Sequence, residues 1–149
     1  MRKLVMAAAA VLATVLAAVL VATPAEAAGG GIMIYRAYYN SPGSDTGTNA
    51  SLNTEYILLK NTASTPKWAN GWTLRDKQNH VYKFPATRIN PGKYVYVRTG
   101  RGTNNAANRY WGQKWYIWNN AGDAAYLRNT AGTLIDSCSW GSSGSWRNC

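Results

Sequence analysis

The stretch that decides the fold reads VYKFPATRINPGKYVYVRTG over residues 81–100 and continues as RYWGQKWYIWNNAGD over residues 109–123. Val81–Phe84 has the composition of a short strand, and Pro85 ends it because proline cannot donate a hydrogen bond to a neighbouring strand. A turn follows at Asn90-Pro91-Gly92, where proline and glycine favour reversal of the chain. The first half of the stretch therefore predicts a strand that is followed by a turn.

The segment after the turn, Tyr94–Thr99, alternates valine with tyrosine. Because successive side chains of a strand point to opposite faces, Val95 and Val97 lie on one face and Tyr94 and Tyr96 on the other. The aromatic run that comes next has no such alternation, and its residues 115–118 are predicted as either a short strand or an irregular bulge. The alternating segment thus predicts a half-buried strand of a sheet.

The rest of the chain after residue 27 has the same character, with β-branched and aromatic runs between turn signals every 8–12 residues or so. The further predicted strands are Ile32–Tyr39, Glu55–Asn61, Trp72–Asp76, Ala124–Arg128 and Thr133–Cys138. Seven or eight short strands without an amphipathic helix indicate an all-β sandwich. The residues predicted to fill its core are Ile57, Leu59, Trp72, Leu74, Val95, Val97, Leu127 and Ile135.

The first 27 residues have the features of a secretory signal peptide. Arg2 and Lys3 precede the apolar run Leu4–Ala22, and Ala25-Glu26-Ala27 offers small residues where a signal peptidase cuts. The apolar run is also close to the roughly 20 residues that span a membrane, so an uncleaved anchor is the alternative. Cleavage after Ala27 would leave residues 28–149 as one extracellular domain.

Four segments carry a resemblance to a known family. They are EYILLKN at Glu55–Asn61, NGWTLRD at Asn70–Asp76, YKFP at Tyr82–Pro85 with Pro91-Gly92, and NNAGDAAYLRNTAGTLID at Asn119–Asp136. In this order they resemble the lamin-tail domain, a module found at the end of nuclear lamins and in many exported bacterial proteins. The resemblance implies an immunoglobulin-like β-sandwich for residues 28–149. It implies no activity, because the family has no catalytic motif and its members bind varied partners.

The two cysteines, Cys138 and Cys149, both lie in the part of the chain that would be exported. An oxidising compartment permits a disulfide, and the intervening glycines and serines allow the loop to close. Two free thiols or a metal site are the alternatives. Two cysteines and the single histidine do not supply the four ligands of a structural zinc site. We therefore expect a Cys138–Cys149 disulfide and no metal or other cofactor.

Charge and aromatic content point to a binding surface. The chain has a net charge of +10, and it contains 7 Trp and 10 Tyr residues. Rings that stack on a ligand beside cations that contact anionic groups are typical of surfaces that bind charged polymers. The residues predicted to form such a surface are Arg98, Arg101, Arg109 and Lys114, together with Trp111 and Trp115. The alternative is a basic sandwich whose tryptophans are buried.

Catalytic chemistry has weak support in the sequence. His80 stands in a predicted turn, where a solvated histidine is the plainer interpretation than a catalytic one. The five carboxylates of residues 28–149 do not form an obvious pair of the kind that a glycosidase needs. The loop Asn40–Thr54 spaces oxygen-bearing side chains as a calcium loop does, but Asp45 is its one carboxylate, so a plain polar loop is preferred.

These observations predict a secreted, non-enzymatic interaction module. Its candidate ligand is an anionic or glycan-containing extracellular polymer, such as DNA, teichoic acid or peptidoglycan. The alternative is a structural domain, or one with a protein partner, that has no polymer ligand. A small secreted hydrolase is the third hypothesis. Exposure of the tryptophans distinguishes the first two, and clustered carboxylates in a cleft would favour the third.

Overall fold

The computed structural model describes residues 31–149, which contain eleven strands and one short helix. The predicted signal peptide lies outside the described residues. The helix, α1 (Asn49–Leu52), is a single turn that begins after Thr48, whose hydroxyl accepts a hydrogen bond from Ser51 N. The strands are β1 (Ile32–Tyr38), β2 (Tyr56–Asn61), β3 (Lys67–Trp68), β4 (Thr73–Arg75), β5 (Val81–Lys83), β6 (Arg88–Ile89), β7 (Tyr94–Arg98), β8 (Asn108–Tyr110), β9 (Asp123–Arg128), β10 (Leu134–Trp140) and β11 (Trp146–Asn148).

The strands form a sandwich of two sheets. The five-stranded sheet has the order β11–β1–β2–β7–β8, and only its β7–β8 pair is parallel. The four-stranded sheet has the order β10–β9–β4–β5 and is antiparallel throughout. The short pair β3–β6 stands apart as a third sheet. The prediction of an all-β, immunoglobulin-like sandwich is confirmed.

The core lies between the two sheets and is built by the alternation that the sequence shows. In the five-stranded sheet Ile57 pairs with Val97, and both are inaccessible to solvent or nearly so. Leu74 and Leu127 pair in the opposite sheet and are fully buried. Six of the predicted core residues are buried, namely Ile57, Leu59, Leu74, Val95, Val97 and Leu127.

The other two predicted core residues, Trp72 and Ile135, are only partly buried and pack against the margin of the core. Trp72 precedes the first residue of β4, and Ile135 lies at an irregularity in the pairing of β10 with β9. Neither residue therefore follows the regular in-and-out alternation of a strand.

Seven predicted strands have counterparts in the structure, with ends that differ by one or two residues. Residues 115–118 form no strand, so the second interpretation, an irregular segment, is the one that the structure shows. Four strands of two or three residues were not predicted, namely β3, β6, β8 and β11. Helix α1 lies in the predicted loop Asn40–Thr54, where four residues are too few to show a helical period.

The structure joins Cys138 to Cys149 in a disulfide, as the sequence predicts, with their Cα atoms 5.6 Å apart. Cys138 belongs to β10 of the four-stranded sheet, whereas Cys149 follows β11, the edge strand of the five-stranded sheet. Cys149 N also donates to the carbonyl oxygen of Tyr35 in β1. The disulfide thus ties the edge of one sheet to the edge of the other.

Removing this disulfide should lower the free energy of unfolding. We expect the double variant Cys138→Ala/Cys149→Ala to lose about 2–3 kcal/mol, because closing so short a loop restricts the unfolded chain by that order. Urea denaturation monitored by tryptophan fluorescence measures the loss. The wild-type protein, reduced under the same conditions, should match the variant. An undiminished midpoint in both samples would show that the disulfide does not constrain the fold.

Candidate functional site

Glu55 holds the C-terminal end of the aromatic run, residues 110–118, through hydrogen bonds from the backbone of that run. It immediately precedes β2 and is fully buried, and its Oε1 accepts hydrogen bonds from Thr99 Oγ1 at 2.5 Å, Ile117 N at 2.9 Å and Trp118 N at 3.3 Å. Burial raises the pKa of the Glu55 carboxyl to about 7, although these donors favour the charged form. A buried carboxyl group therefore takes the place of a neighbouring strand as acceptor for the backbone of this segment.

Much of the aromatic run packs inward. Trp118 and Trp140 are buried with their rings 5.8 Å apart, and Tyr39 stacks on Trp140 at 4.9 Å. Trp111 meets Trp118 at 5.8 Å and Tyr82 at 5.6 Å, so its ring belongs to this internal cluster. Trp111 is therefore a packing residue on one margin of the core, and only part of its surface reaches solvent.

Arg109, predicted to contact a ligand, is buried with 7% of its surface accessible. Its Nε donates to Thr87 Oγ1 at 2.9 Å, and its terminal nitrogens donate to the carbonyl oxygens of Ala86, Asn105 and Asn108. The guanidinium thus holds the loop before β8 against the segment before β6. Because its donors are used inside the protein, Arg109 is not part of an exposed surface.

The four other predicted residues, Arg98, Arg101, Lys114 and Trp115, reach solvent, but no contact joins them into one surface. Arg101 and Lys114 are exposed, and Trp115 is the most exposed large apolar side chain at 60%. Trp115 lines an open depression of about 340 Å³ together with Asp45 and His80. Arg98 belongs instead to β7, where its guanidinium donates to Asn53 O and Asn108 Oδ1, both at 2.7 Å.

Arg98 leads to a surface that the sequence analysis did not single out, the outer face of the five-stranded sheet. Across this face the register aligns Trp146, Tyr38, Tyr56, Arg98 and Tyr110 in one row. The next row runs Asn148, Arg36, Leu58, Tyr96 and Asn108, and Lys60 pairs with Tyr94 beyond it. We call this set of side chains, together with Tyr35, the outer face.

Rings and cations of the outer face are in mutual contact. Arg36 lies 4.7 Å from the ring centre of Trp146, and Arg98 lies 4.7 Å from that of Tyr96. Lys60 lies 5.1 Å from Tyr35 and 5.2 Å from Tyr94. These distances are those of cation–π pairs, so the three cations and the rings form one mixed surface.

A bulge in β1 adds to the outer face. The pairing of β1 with β2 shifts between Ile34 and Arg36, and both Tyr35 and Arg36 contact outer-face rings, while Ile34 and Ala37 are buried. Two consecutive residues therefore face outward, which is the effect of one extra residue in a strand. The strand patterns already showed Tyr94 and Tyr96 facing away from the core, but only the register shows which neighbours they meet.

A family model for the lamin tail domain matches residues 25–142. This chain belongs to the lamin tail domain family. A search of curated proteins found no significant match. Lamin tail domains are immunoglobulin-like and non-catalytic, which agrees with the sandwich described above. Among the described residues, no helix is long and apolar enough to cross a membrane.

Four of the five side-chain carboxyl groups within residues 31–149 of this lamin tail domain accept hydrogen bonds from its own backbone, and Asp45 is the exception. Asp123 is buried and accepts from Lys77 N, Asn119 N and Ala124 N. Asp136 accepts from Ile34 N at 2.8 Å, which links β10 to β1. Within residues 31–149, no three side chains of the His, Cys, Asp and Glu types come together as metal ligands. These carboxylates hold turns and strands in place.

His80 forms an arrangement that resembles part of a catalytic site. Its Nδ1 lies 2.5 Å from Oδ2 of the buried Asp76, and the imidazole borders the depression beside Trp115. A histidine oriented by a carboxylate is one half of a nucleophilic triad, and the other half is a serine or cysteine. The residues that line this depression include neither of these, and the hydroxyl of Tyr116 is already bonded to Ser51.

Proposed function

We propose that this lamin tail domain is an exported, non-catalytic interaction module that binds an anionic or glycan-containing polymer outside the cell. Candidate polymers are nucleic acid, teichoic acid and peptidoglycan. Export is supported by the N-terminal sequence, with its basic start, apolar run and Ala25-Glu26-Ala27 cleavage signal. The Cys138–Cys149 disulfide supports the same location, because such bonds persist in oxidising compartments.

The observation that carries the proposal is the imbalance of charge at the surface. Of the fourteen Lys and Arg residues in residues 31–149, only Arg109 is buried. Of the five carboxylates, Glu55, Asp76 and Asp123 are buried, which leaves Asp45 and Asp136 to reach solvent. The solvent-accessible side chains therefore have a larger net positive charge than the whole of residues 31–149. Such a surface attracts polyanions.

A second candidate function is that of a structural or protein-binding domain. It is supported by the burial of Trp118 and Trp140 and the partial burial of Trp72 and Trp111, because these rings serve the core. Three tryptophans nevertheless remain about half exposed, namely Trp68, Trp115 and Trp146. Exposed rings beside cations support a ligand-binding surface more than a purely structural role.

A titration with several polymers tests the proposed function. We expect the protein to bind single-stranded DNA and teichoic acid at low salt and to leave polyethylene glycol, which has neither charge nor sugar, unbound. Affinity for single-stranded DNA should fall with salt at a logarithmic slope of about −0.7 per phosphate contacted. Tryptophan fluorescence at two salt concentrations provides the measurement. Failure of all anionic polymers, including peptidoglycan fragments, to bind at low salt would overturn the proposal.

A further inference from the structure

We propose that the outer face of the five-stranded sheet binds single-stranded nucleic acid, with phosphates against its cations and bases against its rings. This inference rests on the proposed function and names its surface and its ligand class. The outer face combines three cations, Arg36, Lys60 and Arg98, with rings from all five strands of the sheet. No outward-facing position of its five strands carries a carboxylate.

Charge complementarity selects an anionic ligand for this face. Arg36, Lys60 and Arg98 all point outward from the sheet, and each reaches solvent in part. Arg98 lies over the rings of Tyr56 and Tyr96, and Lys60 lies near the rings of Tyr35 and Tyr94. The ring quadrupoles attract these cations without neutralising them. A cation beside a ring keeps its full charge. Arg98 uses two of its nitrogens on Asn53 and Asn108, and Arg36 uses its Nε on Asn148, so the phosphates would be contacted by their remaining nitrogens and by the Lys60 ammonium.

The rings select a polymer with flat groups. Tyr38 stacks on Tyr56 at 5.4 Å, and Tyr56 meets Tyr96 edge-on at 4.9 Å, so aromatic surface continues across three strands. Bases of single-stranded nucleic acid stack on aromatic side chains carried by a sheet, and the cations between them hold the backbone. A polyol-phosphate chain would use the cations of this face and leave the rings without partners.

A cavity next to the face offers a place for a base turned out of the strand. It has a volume of about 430 Å³ and is lined by Tyr94 and Tyr96 of the outer face and by Arg88 and Lys93. Because the two tyrosines belong to both surfaces, the cavity continues the outer face beyond β7. Two further cations at the cavity extend the path of positive charge by which phosphates would pass.

Charge-matched variants test the assignment to this surface. The double variant Arg36→Gln/Lys60→Gln removes two positive charges from the outer face, and Lys77→Gln/Lys83→Gln removes two exposed charges elsewhere. The probe is a fluorescently labelled thymidine oligonucleotide, with binding followed by anisotropy. We expect the loss of affinity caused by the first pair to be about tenfold larger than the loss caused by the second pair. Both pairs lower the net charge equally, but only the first removes cations that contact phosphates directly. Tyr96→Leu should weaken binding by about tenfold while keeping apolar cover over the sheet.

An abasic oligonucleotide of the same length separates stacking from charge, because it keeps the phosphates and lacks the bases. We expect it to bind about tenfold more weakly or worse and to be insensitive to Tyr96→Leu. Equal binding of the two oligonucleotides, or equal effects of the two charge pairs, would overturn the inference. Binding of teichoic acid without binding of DNA would overturn it and leave the proposed function standing. If the protein bound none of the anionic polymers, both this inference and the proposed function would be overturned. Urea denaturation confirms that each variant is folded.

Discussion

Replacing Glu55 with glutamine should remove most of the pH dependence that this residue gives to stability between pH 4.5 and pH 7. The side chain is fully buried, and burial raises its pKa from 4.5 to about 7. Folding therefore favours the protonated, neutral form. Its contribution is fully present below the unfolded pKa of 4.5 and is lost as the pH rises through 7. A shift of this size corresponds to about 3 kcal/mol in the free energy of unfolding.

Glutamine keeps the oxygen that accepts from Thr99, Ile117 and Trp118, and it carries no charge at any pH in this range. Urea denaturation of both proteins at pH 4 and pH 8 measures the effect. The difference in unfolding free energy between Glu55→Gln and wild type should shift in favour of the variant by about 3 kcal/mol from pH 4 to pH 8.

The comparison between two proteins isolates Glu55, because every other titrating group is shared. Asp45→Asn is the comparison variant, because Asp45 is exposed and its charge is the weakest of the influences on the pKa of Glu55. We expect its difference from wild type to stay within about 0.5 kcal/mol at both pH values. If Glu55→Gln showed the same flat difference, Glu55 would ionise as it does in the unfolded chain, and its role as a buried anchor would be wrong.

Replacing Leu59 with alanine should cost about 2–5 kcal/mol of the free energy of unfolding. Leu59 is fully buried, and it pairs with Ile34 on one side and Val95 on the other. Truncation removes apolar contacts and leaves a cavity that strands held on both sides by hydrogen bonds cannot close. Thermal or urea unfolding at neutral pH measures the loss.

Leu134→Ala is the matched control for this core prediction. Leu134 opens β10 and is 45% exposed, so the same truncation should cost less than about 1 kcal/mol. A loss below about 0.5 kcal/mol for Leu59→Ala would mean that the side chain does not face the core. Equal losses for the two variants would show that burial between the sheets contributes little to stability at this position.

The faces of the long strands could be predicted from the sequence because the alternation is local. Val95 and Val97 alternate with Tyr94 and Tyr96, and the structure buries the valines. The shortest strands had no such signal, since β3 and β6 contain two residues each and exist only because they pair with one another. Their formation depends on partners about twenty residues apart along the chain.

The residues of the predicted binding surface could not be sorted by local sequence. Arg109 lies between polar and aromatic residues in the sequence. Its hydrogen-bond acceptors, the carbonyl oxygen of Ala86 and the hydroxyl of Thr87, lie more than twenty residues earlier in the chain, so the local sequence does not indicate them. Trp111 is drawn inward by Tyr82 and Trp118 in the same way. Both are effects of tertiary packing. Arg109 is buried and therefore does not belong to the predicted surface. The outer face depends on the register of strands that are distant in the sequence.

Chemical-shift mapping shows which strands of the protein contact single-stranded nucleic acid. Amide chemical shifts of the isotopically labelled protein are recorded with and without a thymidine oligonucleotide. We expect the largest changes in β1, β2 and β7, the strands that carry Arg36, Lys60 and Arg98. Changes confined to Arg101 and residues 111–115, or spread evenly over every exposed cation, would overturn the assignment to the outer face.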